Sequence, residues 1–207
     1  MSKVVLWFGD AECCDVAAAG GKGASLASMT QQGLPVPGGF AIPADLLENC
    51  VDVDKLRGFA RAQDHASAIT LVEETAHVPQ EVMDAYAEMG GGKVAVRSSA
   101  SAEDSEAASY AGQQETYLNV VGADEVRRRV IDCWASFFSE RALFYRGQKG
   151  SLDDLRMAVV VQKMVDADKA GVAFSIHPVT RRRDRMLIEA VRGLGEQVVS
   201  GEVTPDH

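Results

Sequence analysis

A lone lysine, Lys22, lies among glycines near the start of an alanine-rich segment, "AAAGGKGASLASM". Glycine costs a helix roughly 1 kcal/mol relative to alanine, so three glycines around one lysine need a reason. Backbone N–H groups at a helix N-terminus are unpaired and the helix dipole favours an anion there, so the pattern suits phosphate binding. It is not a P-loop, because Gly23 follows Lys22 where Ser or Thr belongs. A plain surface turn is the alternative, and this segment alone leaves both open.

Arg97 ends the apolar run "VAVRSS", which predicts a strand. Burying an unpaired guanidinium is costly, so this side chain needs a partner. Either it pairs with a nearby carboxylate such as Glu103 or Asp104, or its planar fork binds a phosphate. The following loop, at about 99–113, is rich in small residues that let the backbone approach a ligand. Both readings stay open.

Gln162 is the polar residue in the otherwise apolar run "MAVVVQKMV". If it is buried, its amide needs a hydrogen-bond partner. Together with the backbone of Lys163 and Met164, that amide offers the donor and acceptor pattern of an adenine edge. The alternative is a glutamine on an edge strand that faces water.

Three carboxylates lie near the end of the chain in "EAVRGLGEQVVSGEVTPD": Glu189, Glu196 and Glu202. They could hold a ribose hydroxyl or a metal ion, or simply face solvent. Mg²⁺ requires an octahedral oxygen shell, so three acidic residues without a fixed geometry are weak evidence for it.

The bulk composition is that of an ordinary globular protein, with 46% hydrophobic and 25% charged residues among 207. A net charge of -9 argues against broad binding to nucleic acid or to an anionic membrane. No apolar run is long enough to span a bilayer, and the first residues lack the apolar core of a signal peptide. The four cysteines form no C-x-x-C pair and share no ligand spacing with the histidines. We therefore expect a reduced, cytoplasmic protein without zinc.

The elements that position these residues follow from periodicity and turn residues. In the first part of the chain, the pattern predicts a strand at "KVVLWF", a helix from about Gly21 to Gln32 that Gly33 ends, and a strand within "LPVPGGFAIP". Helical periodicity then runs from Ala44 to Met89, with breaks near Asp52 and at "HVPQ", where Pro79 takes the first helical position.

In the second part, the strands "VAVRSS" and "ETYLNV" precede one long amphipathic helix between Asp124 and Arg146. The last third has three apolar runs, "MAVVVQKMV", "AGVAFSIHPV" and "RMLIEAV". They predict neighbouring strands of a mostly buried sheet. The basic run "RRRDR" between the last two predicts a charged turn.

Taken together, these segments resemble the nucleotide-binding domain of the pyruvate phosphate dikinase, phosphoenolpyruvate synthase and rifampicin phosphotransferase family. The matching pieces, in the family's order, are "GGKGASLASM", "GLPVPGGFAIP", "VAVRSSASAEDSEAASYAGQQETYLNV", "CWASFFSERALFYR", "AVVVQKMVDADKAGVAFSIHPVT" and "GLGEQVVSGEVTPD". The resemblance implies an α+β, ATP-grasp-like fold. Its two lobes would lie at roughly 1–150 and 151–207, the second of them incomplete.

The resemblance also implies a set of ATP contacts. Position by position, these are Lys22, Arg97, Gly112, Thr116 and Gln162, to which the motifs above add Met164 and Glu196. Lys22 and Arg97 would act in catalysis by countering charge on the transferring phosphoryl group. In this interpretation the glycines around Lys22 let the chain fold close to the triphosphate. Similar enzymes pass the β-phosphate of ATP to a histidine on a swivelling domain, and then to an acceptor such as pyruvate or a rifamycin.

Three departures qualify the resemblance. The sequence stops at "TPDH", before the family's domain does, so we expect the residues that complete the γ-phosphate and Mg²⁺ site beyond its end. No histidine lies in a context rich in glycine and threonine, as the phosphorylated histidine does. His177 stands where relatives usually have Asp or Asn, and we interpret it as structural.

These departures lead us to expect an ATP-binding portion that is inactive alone and depends on phosphohistidine and acceptor domains. Its incomplete lobe would leave sheet or cleft surface exposed, so we expect either a homodimer or an unstable chain. One alternative is a non-catalytic module for assembly or regulation that retains the fold. Another is a small self-sufficient kinase that uses Glu189, Glu196 or Glu202 for Mg²⁺.

Overall fold

A computed structural model of the chain describes residues 3–100, 115–149, 151–178 and 180–196. The chain divides into two compact units, Met1–Met164 and Val165–His207. The division falls after Met164 rather than near residue 150, because the strand that follows residue 157 lies at the centre of the first unit's sheet.

The first unit mixes helices and strands, in agreement with the predicted α+β class. Its strands are β1 (Leu6–Trp7), β2 (Gly39–Ile42), β3 (Val94–Ser99), β4 (Thr116–Val120) and β5 (Ala158–Lys163). A 3₁₀ turn (Ala11–Cys14) precedes the helices α1 (Val16–Gln31), α2 (Leu46–Cys50), α3 (Val53–Arg61), α4 (His65–Thr75), α5 (Gln80–Glu88), α6 (Ala123–Ser136) and α7 (Glu140–Lys149). Of the helices in the described ranges, none is both long and apolar enough to cross a membrane.

The five strands form one antiparallel sheet in the order β1-β2-β5-β3-β4. Because side chains alternate along a strand, the sheet has two distinct faces. The helical face carries large apolar residues such as Phe40, Ile42 and Val161, which belong to one core with Trp134 of α6. These residues are fully buried, so this face supplies most of the apolar burial that holds the unit together.

The opposite face, which we call the α1 face, is covered by α1 and carries smaller side chains. Ala41 and Val160 of the sheet form a second, smaller core with Ala19 and Ala27 of the helix. Gly23 lies at this contact, where a Cβ atom would come within 2.9 Å of the Ala19 Cβ and 3.3 Å of the Ala41 Cβ. The absence of a side chain at Gly23 therefore lets helix and sheet approach closely.

Side-chain caps fix several of the helix boundaries. Asp52 and Asp64 each accept a backbone N–H of the helix that follows, α3 and α4 respectively. The predicted breaks near Asp52 and at "HVPQ" are confirmed, although Pro79 is the N-cap of α5 rather than its first residue. A further break, which periodicity did not signal, falls at Gln63, whose φ is +55°.

The single helix predicted between Asp124 and Arg146 is wrong, because a turn at 137–139 separates α6 from α7. The N–H of Phe137 donates to the Trp134 carbonyl at 3.3 Å, and that of Phe138 donates to Ala135 at 3.0 Å, so the end of α6 tightens. Both helices bury side chains in the same core, so the apolar spacing continues across the turn.

The second unit contains β6 (Lys169–Phe174) and β7 (Leu187–Arg192), which pair antiparallel as a separate two-stranded sheet. The prediction of three neighbouring buried strands is therefore wrong: β5 belongs to the first sheet, and β6 alternates exposed and half-buried residues. The charged turn between β6 and β7 is confirmed. His177 has a structural role there, since its N–H donates to the Arg182 carbonyl at 3.1 Å and its Nδ1 accepts from Thr180.

Candidate functional site

A kink at Gly20 divides α1 into two segments. Gly20 has φ +68° and ψ 173°, so the longer helical segment begins at Gly21, where the sequence predicted it. A Cβ atom at Gly20 would lie 2.0 Å from the Ser99 carbonyl oxygen. Both the positive φ and the lack of space require glycine, and the kink brings the start of the helix against the end of β3.

The Ser99 hydroxyl joins the start of this helical segment to β3. It accepts from the backbone N–H of Lys22 at 3.1 Å and from that of Gly23 at 3.2 Å. It donates to the Ala19 carbonyl at 2.9 Å. Ser99 thus acts as a helix cap supplied by a residue distant in sequence, a role that the sequence analysis missed.

The glycines around Lys22 serve the packing of α1. Gly20 and Gly23 allow close contact with Ser99 and with Ala41 respectively, and the N–H of Gly21 donates to the Ala100 carbonyl at 2.7 Å. The backbone N–H groups of residues 21–23 are therefore all paired within the protein. These three amides are thus not free to bind a phosphate, and the lysine side chain is the candidate group. That the glycines let the chain fold close to a triphosphate stays a prediction.

The structure brings the side chains of Lys22 and Arg97 together. Lys22 Nζ donates to the Ser98 carbonyl oxygen at 2.6 Å, beside the last residues of β3. Burial and, second, the positive charge of Arg97 lower the pKa of Lys22 from 10.5 to about 8. Lys22 of α1 and Arg97 of β3, both partly buried, therefore lie near enough for their positive charges to repel each other.

Arg97 has an unmet hydrogen-bonding requirement. Its Nε is buried and has no hydrogen-bond partner within the described part of the chain, and burial lowers the pKa of the guanidinium. The two carboxylates considered as its partners, Glu103 and Asp104, lie outside the described residues. A buried guanidinium nitrogen without an acceptor, next to a lysine, fits a site for an anion that presents several oxygen atoms.

Strand register places two more of the predicted contacts on the same face. Arg97 is directly opposite Thr116 of β4, and Ala95 of β3 is opposite Gln162 of β5. Because residues two apart on a strand share a face, Arg97, Thr116 and Gln162 all lie on the α1 face. Thr116 is exposed at the start of β4.

Gln162 is buried in a central strand, so the reading as an edge residue facing water is wrong. Its Nε2 donates to the Pro37 carbonyl at 3.2 Å. The N–H groups of Lys163 and Met164 donate to the Gly38 and Lys93 carbonyls at 2.9 and 3.0 Å. The backbone donors that the sequence analysis assigned to an adenine edge are thus already used within the protein.

The remaining predicted residues are not part of this arrangement as described. Gly112 and Glu202 lie outside the described residues, whereas Glu196 is an exposed residue of the second unit. Within the described ranges, no group of three His, Cys, Asp or Glu side chains suits a metal ion. The site that the structure assembles therefore consists of Lys22 and Arg97, with Thr116 and Gln162 on the same face.

Comparison with known proteins identifies the family of the chain. The family model described as "Pyruvate phosphate dikinase, AMP/ATP-binding domain" matches residues 16–207. A probable phosphoenolpyruvate synthase of Methanocaldococcus jannaschii is 44% identical over 99% of this chain, which corresponds to 19% of the relative. One from Methanothermobacter thermautotrophicus is 44% identical over the whole chain and 34% of its own length. The phosphoenolpyruvate synthase of Pyrococcus furiosus is 38% identical over 99% of the chain and 32% of its own length.

The chain thus spans between 19% and 34% of the length of these relatives. The family match extends over α1, β3, β4 and β5, the elements that carry Lys22, Arg97, Thr116 and Gln162. The chain belongs to the AMP/ATP-binding domain family of pyruvate phosphate dikinase and is an ATP-binding portion of the dikinase type.

Proposed function

We propose that Lys22 and Arg97 bind the phosphate groups of ATP and support transfer of its β-phosphate to a histidine on a separate domain. The observation that carries this proposal is the convergence of two cations from α1 and β3 on one side of the sheet. One of them, Arg97, has a buried nitrogen without a hydrogen-bond partner among the residues that the structure describes. A polyanion would relieve both the repulsion and the missing acceptor.

The two cations suit different tasks. Arg97 presents a planar fork of N–H donors that matches two phosphate oxygens at once, whereas Lys22 is a compact point charge. Phosphoryl transfer depends mainly on positioning and on stabilising charge that spreads over the phosphate oxygens. Side chains held by a helix and a central strand provide such charge without reorganisation during the reaction.

We further propose an ATP-grasp-like arrangement in which Thr116 and Gln162 complete the cleft on the α1 face. Gly112, Met164 and Glu196 are the remaining proposed nucleotide contacts. Mg²⁺ would neutralise phosphate charge when bound with the nucleotide. Within the described ranges, no group of three His, Cys, Asp or Glu side chains suits a metal ion.

The names of the relatives are relevant to which molecule finally receives the phosphate. They are called phosphoenolpyruvate synthases, which favours pyruvate over a rifamycin as the molecule that receives the phosphate. The chain spans 19% and 34% of the length of two of these relatives, which leaves room for the histidine and acceptor domains. Both domains are therefore part of the proposal.

A binding experiment tests the nucleotide site. We expect a labelled, non-hydrolysable ATP analogue with Mg²⁺ to bind the wild-type chain, and Lys22→Ala to weaken binding about tenfold or more, since a charge-assisted contact is lost. Lys55→Ala is the matched control, because Lys55 is exposed and pairs with Asp52, three residues before it. Equal affinity of all three proteins would contradict the proposal and favour the non-catalytic assembly module.

A further inference from the structure

We propose that Ser99 is a positioning residue that holds Lys22 beside Arg97, so that both cations face the same phosphate groups. The inference rests on the proposed ATP site and deepens it. Ser99 contacts no ligand in this account. It acts through the backbone of Lys22 and Gly23, which its hydroxyl binds at 3.1 and 3.2 Å.

The two cations need such a restraint because they repel each other. Lys22 lies on α1 and Arg97 on β3, and their mutual repulsion favours any movement that separates the two elements. Among the described side chains, the Ser99 hydroxyl makes three of the bonds that join the two elements, and the Lys22 amine makes one.

The hydroxyl of Ser99 is used to its full capacity. A serine hydroxyl has one donor and two acceptor positions. The donor serves the Ala19 carbonyl, and the acceptors serve the N–H groups of Lys22 and Gly23. Ser99 is only 1% exposed, so water has no access to replace these bonds when the hydroxyl is removed.

The neighbouring Ser98 provides a matched control. It is also 1% exposed and is the adjacent residue of β3, but among the described residues its hydroxyl makes one weak bond, to the Glu115 carbonyl at 3.4 Å. The Lys22 amine binds the backbone carbonyl of Ser98, which an alanine at this position retains. Ser98→Ala therefore removes a buried hydroxyl from the same strand without releasing α1.

The test is a double-mutant cycle on the affinity for the ATP analogue. We expect Ser99→Ala to weaken binding about tenfold or more and Ser98→Ala to change it less than about twofold. In a Lys22→Ala background, Ser99→Ala should have less than about a twofold effect, because the group it positions is gone. A purely structural role would instead give the same loss in both backgrounds.

The outcomes of the double-mutant cycle distinguish the role of Ser99 from the existence of the ATP site. Equal affinities of Ser99→Ala and Ser98→Ala, or a loss that persists in the Lys22→Ala background, would overturn the role of Ser99 while leaving the ATP site intact. Unchanged affinity of Lys22→Ala alone would instead overturn the proposed function, and the inference with it.

Hydrogen exchange of the wild-type chain tests the inference without a variant that has to fold. If Ser99 binds the N–H groups of Lys22 and Gly23, both amides should exchange slowly in the absence of nucleotide and change little when the ATP analogue is added. Fast exchange that becomes slow only with the analogue would show that these amides bind phosphate directly, and would overturn the inference.

Discussion

The two faces of the five-stranded sheet have different compositions and serve different purposes. The helical face buries large apolar side chains, among them Phe40, Ile42 and Trp134, which are fully excluded from solvent. The α1 face has small residues beside Arg97 and Gln162, and α1 packs closely on it. One face therefore supplies stability, while the other gives up apolar burial to hold polar groups beside a closely packed helix.

The electrostatics of the two faces differ in the same way. On the α1 face, Lys22 is disfavoured in its charged form, and the buried Nε of Arg97 has no partner in the described part of the chain. Such groups cost stability in the ligand-free protein and are characteristic of functional sites. Substitutions on the helical face should thus reduce stability, whereas those on the α1 face should mainly change binding.

The largest expected effect is on the helical face. Trp134→Ala should lower the free energy of unfolding by about 3–5 kcal/mol, because it leaves a cavity in the principal core. Urea unfolding measures the loss, and the fraction that remains folded at low temperature should bind the ATP analogue within about twofold of wild type. A loss below about 1 kcal/mol would show that stability does not depend on this face.

Gly20→Ala should affect stability and binding together, because Gly20 links α1 to the site. Gly20 has φ +68° and ψ 173°, a conformation that costs roughly 1–3 kcal/mol for a residue with a Cβ atom, and the clash with the Ser99 carbonyl adds to it. Gly33→Ala is the control, since Gly33 has φ +78° but open space around it. We expect Gly33→Ala to lower stability by the strain alone and to leave affinity for the ATP analogue unchanged. Equal losses in the two variants would contradict the close approach of α1 to β3.

Lys22→Met should separate the effect on stability from the effect on ATP binding most clearly. It removes a charge that burial and Arg97 disfavour, so we expect stability to rise by about 1 kcal/mol at pH 7 while ATP affinity falls. Thermal unfolding and analogue binding on the same sample measure both. Lower stability together with lower affinity would place Lys22 among the residues that hold the fold.

The difference in stability between Lys22→Met and the wild type should depend on pH, because it follows from the pKa of Lys22. The folded value of about 8 is below the ordinary 10.5, so the unfolded chain binds more protons between these values, and wild-type stability should rise with pH across that range. The cost of keeping Lys22 charged in the folded protein is fully present below pH 8. The advantage of Lys22→Met should therefore be largest there and vanish by about pH 10.5, and an advantage that does not change with pH would contradict this origin.

The smallest effect is expected at the surface. Asp153 pairs with Arg61 at 2.5 Å, but both side chains are 63% exposed. Asp153→Asn should leave both the midpoint of urea unfolding and the ATP affinity unaltered, because solvent screens an exposed ion pair. A clear change in unfolding or in ATP affinity would mean that the two faces of the sheet do not account for the stability and binding of the domain.

Local sequence patterns predicted most strands and helix starts, but not the arrangements that depend on distant contacts. The strand that ends in Arg97 and the helix that begins at Gly21 were predictable from apolar runs and glycine positions. The turn after Phe137 was not, because α6 and α7 share one core and keep one apolar spacing. Ser139, directly before α7, is the type of residue that favours a helix start and was the available signal.

The chemistry of the site was predictable from residue types, and its geometry was not. Lys22 and Arg97 stand out as cations beside glycines or inside an apolar strand. The role of Ser99 depends on a bond between α1 and β3, residues far apart in sequence, which no local pattern encodes. The position of β5 in the first sheet likewise depends on pairing with β2 and β3.

The most direct test of the central claim is the pKa of Lys22 itself, followed by NMR of the isotopically dimethylated lysine. We expect a value near 8 in the ligand-free chain, and a rise toward 10.5 both in Arg97→Gln and when the ATP analogue binds the wild type. A value near 10.5 that neither the substitution nor the nucleotide changes would show that the two cations do not share one site.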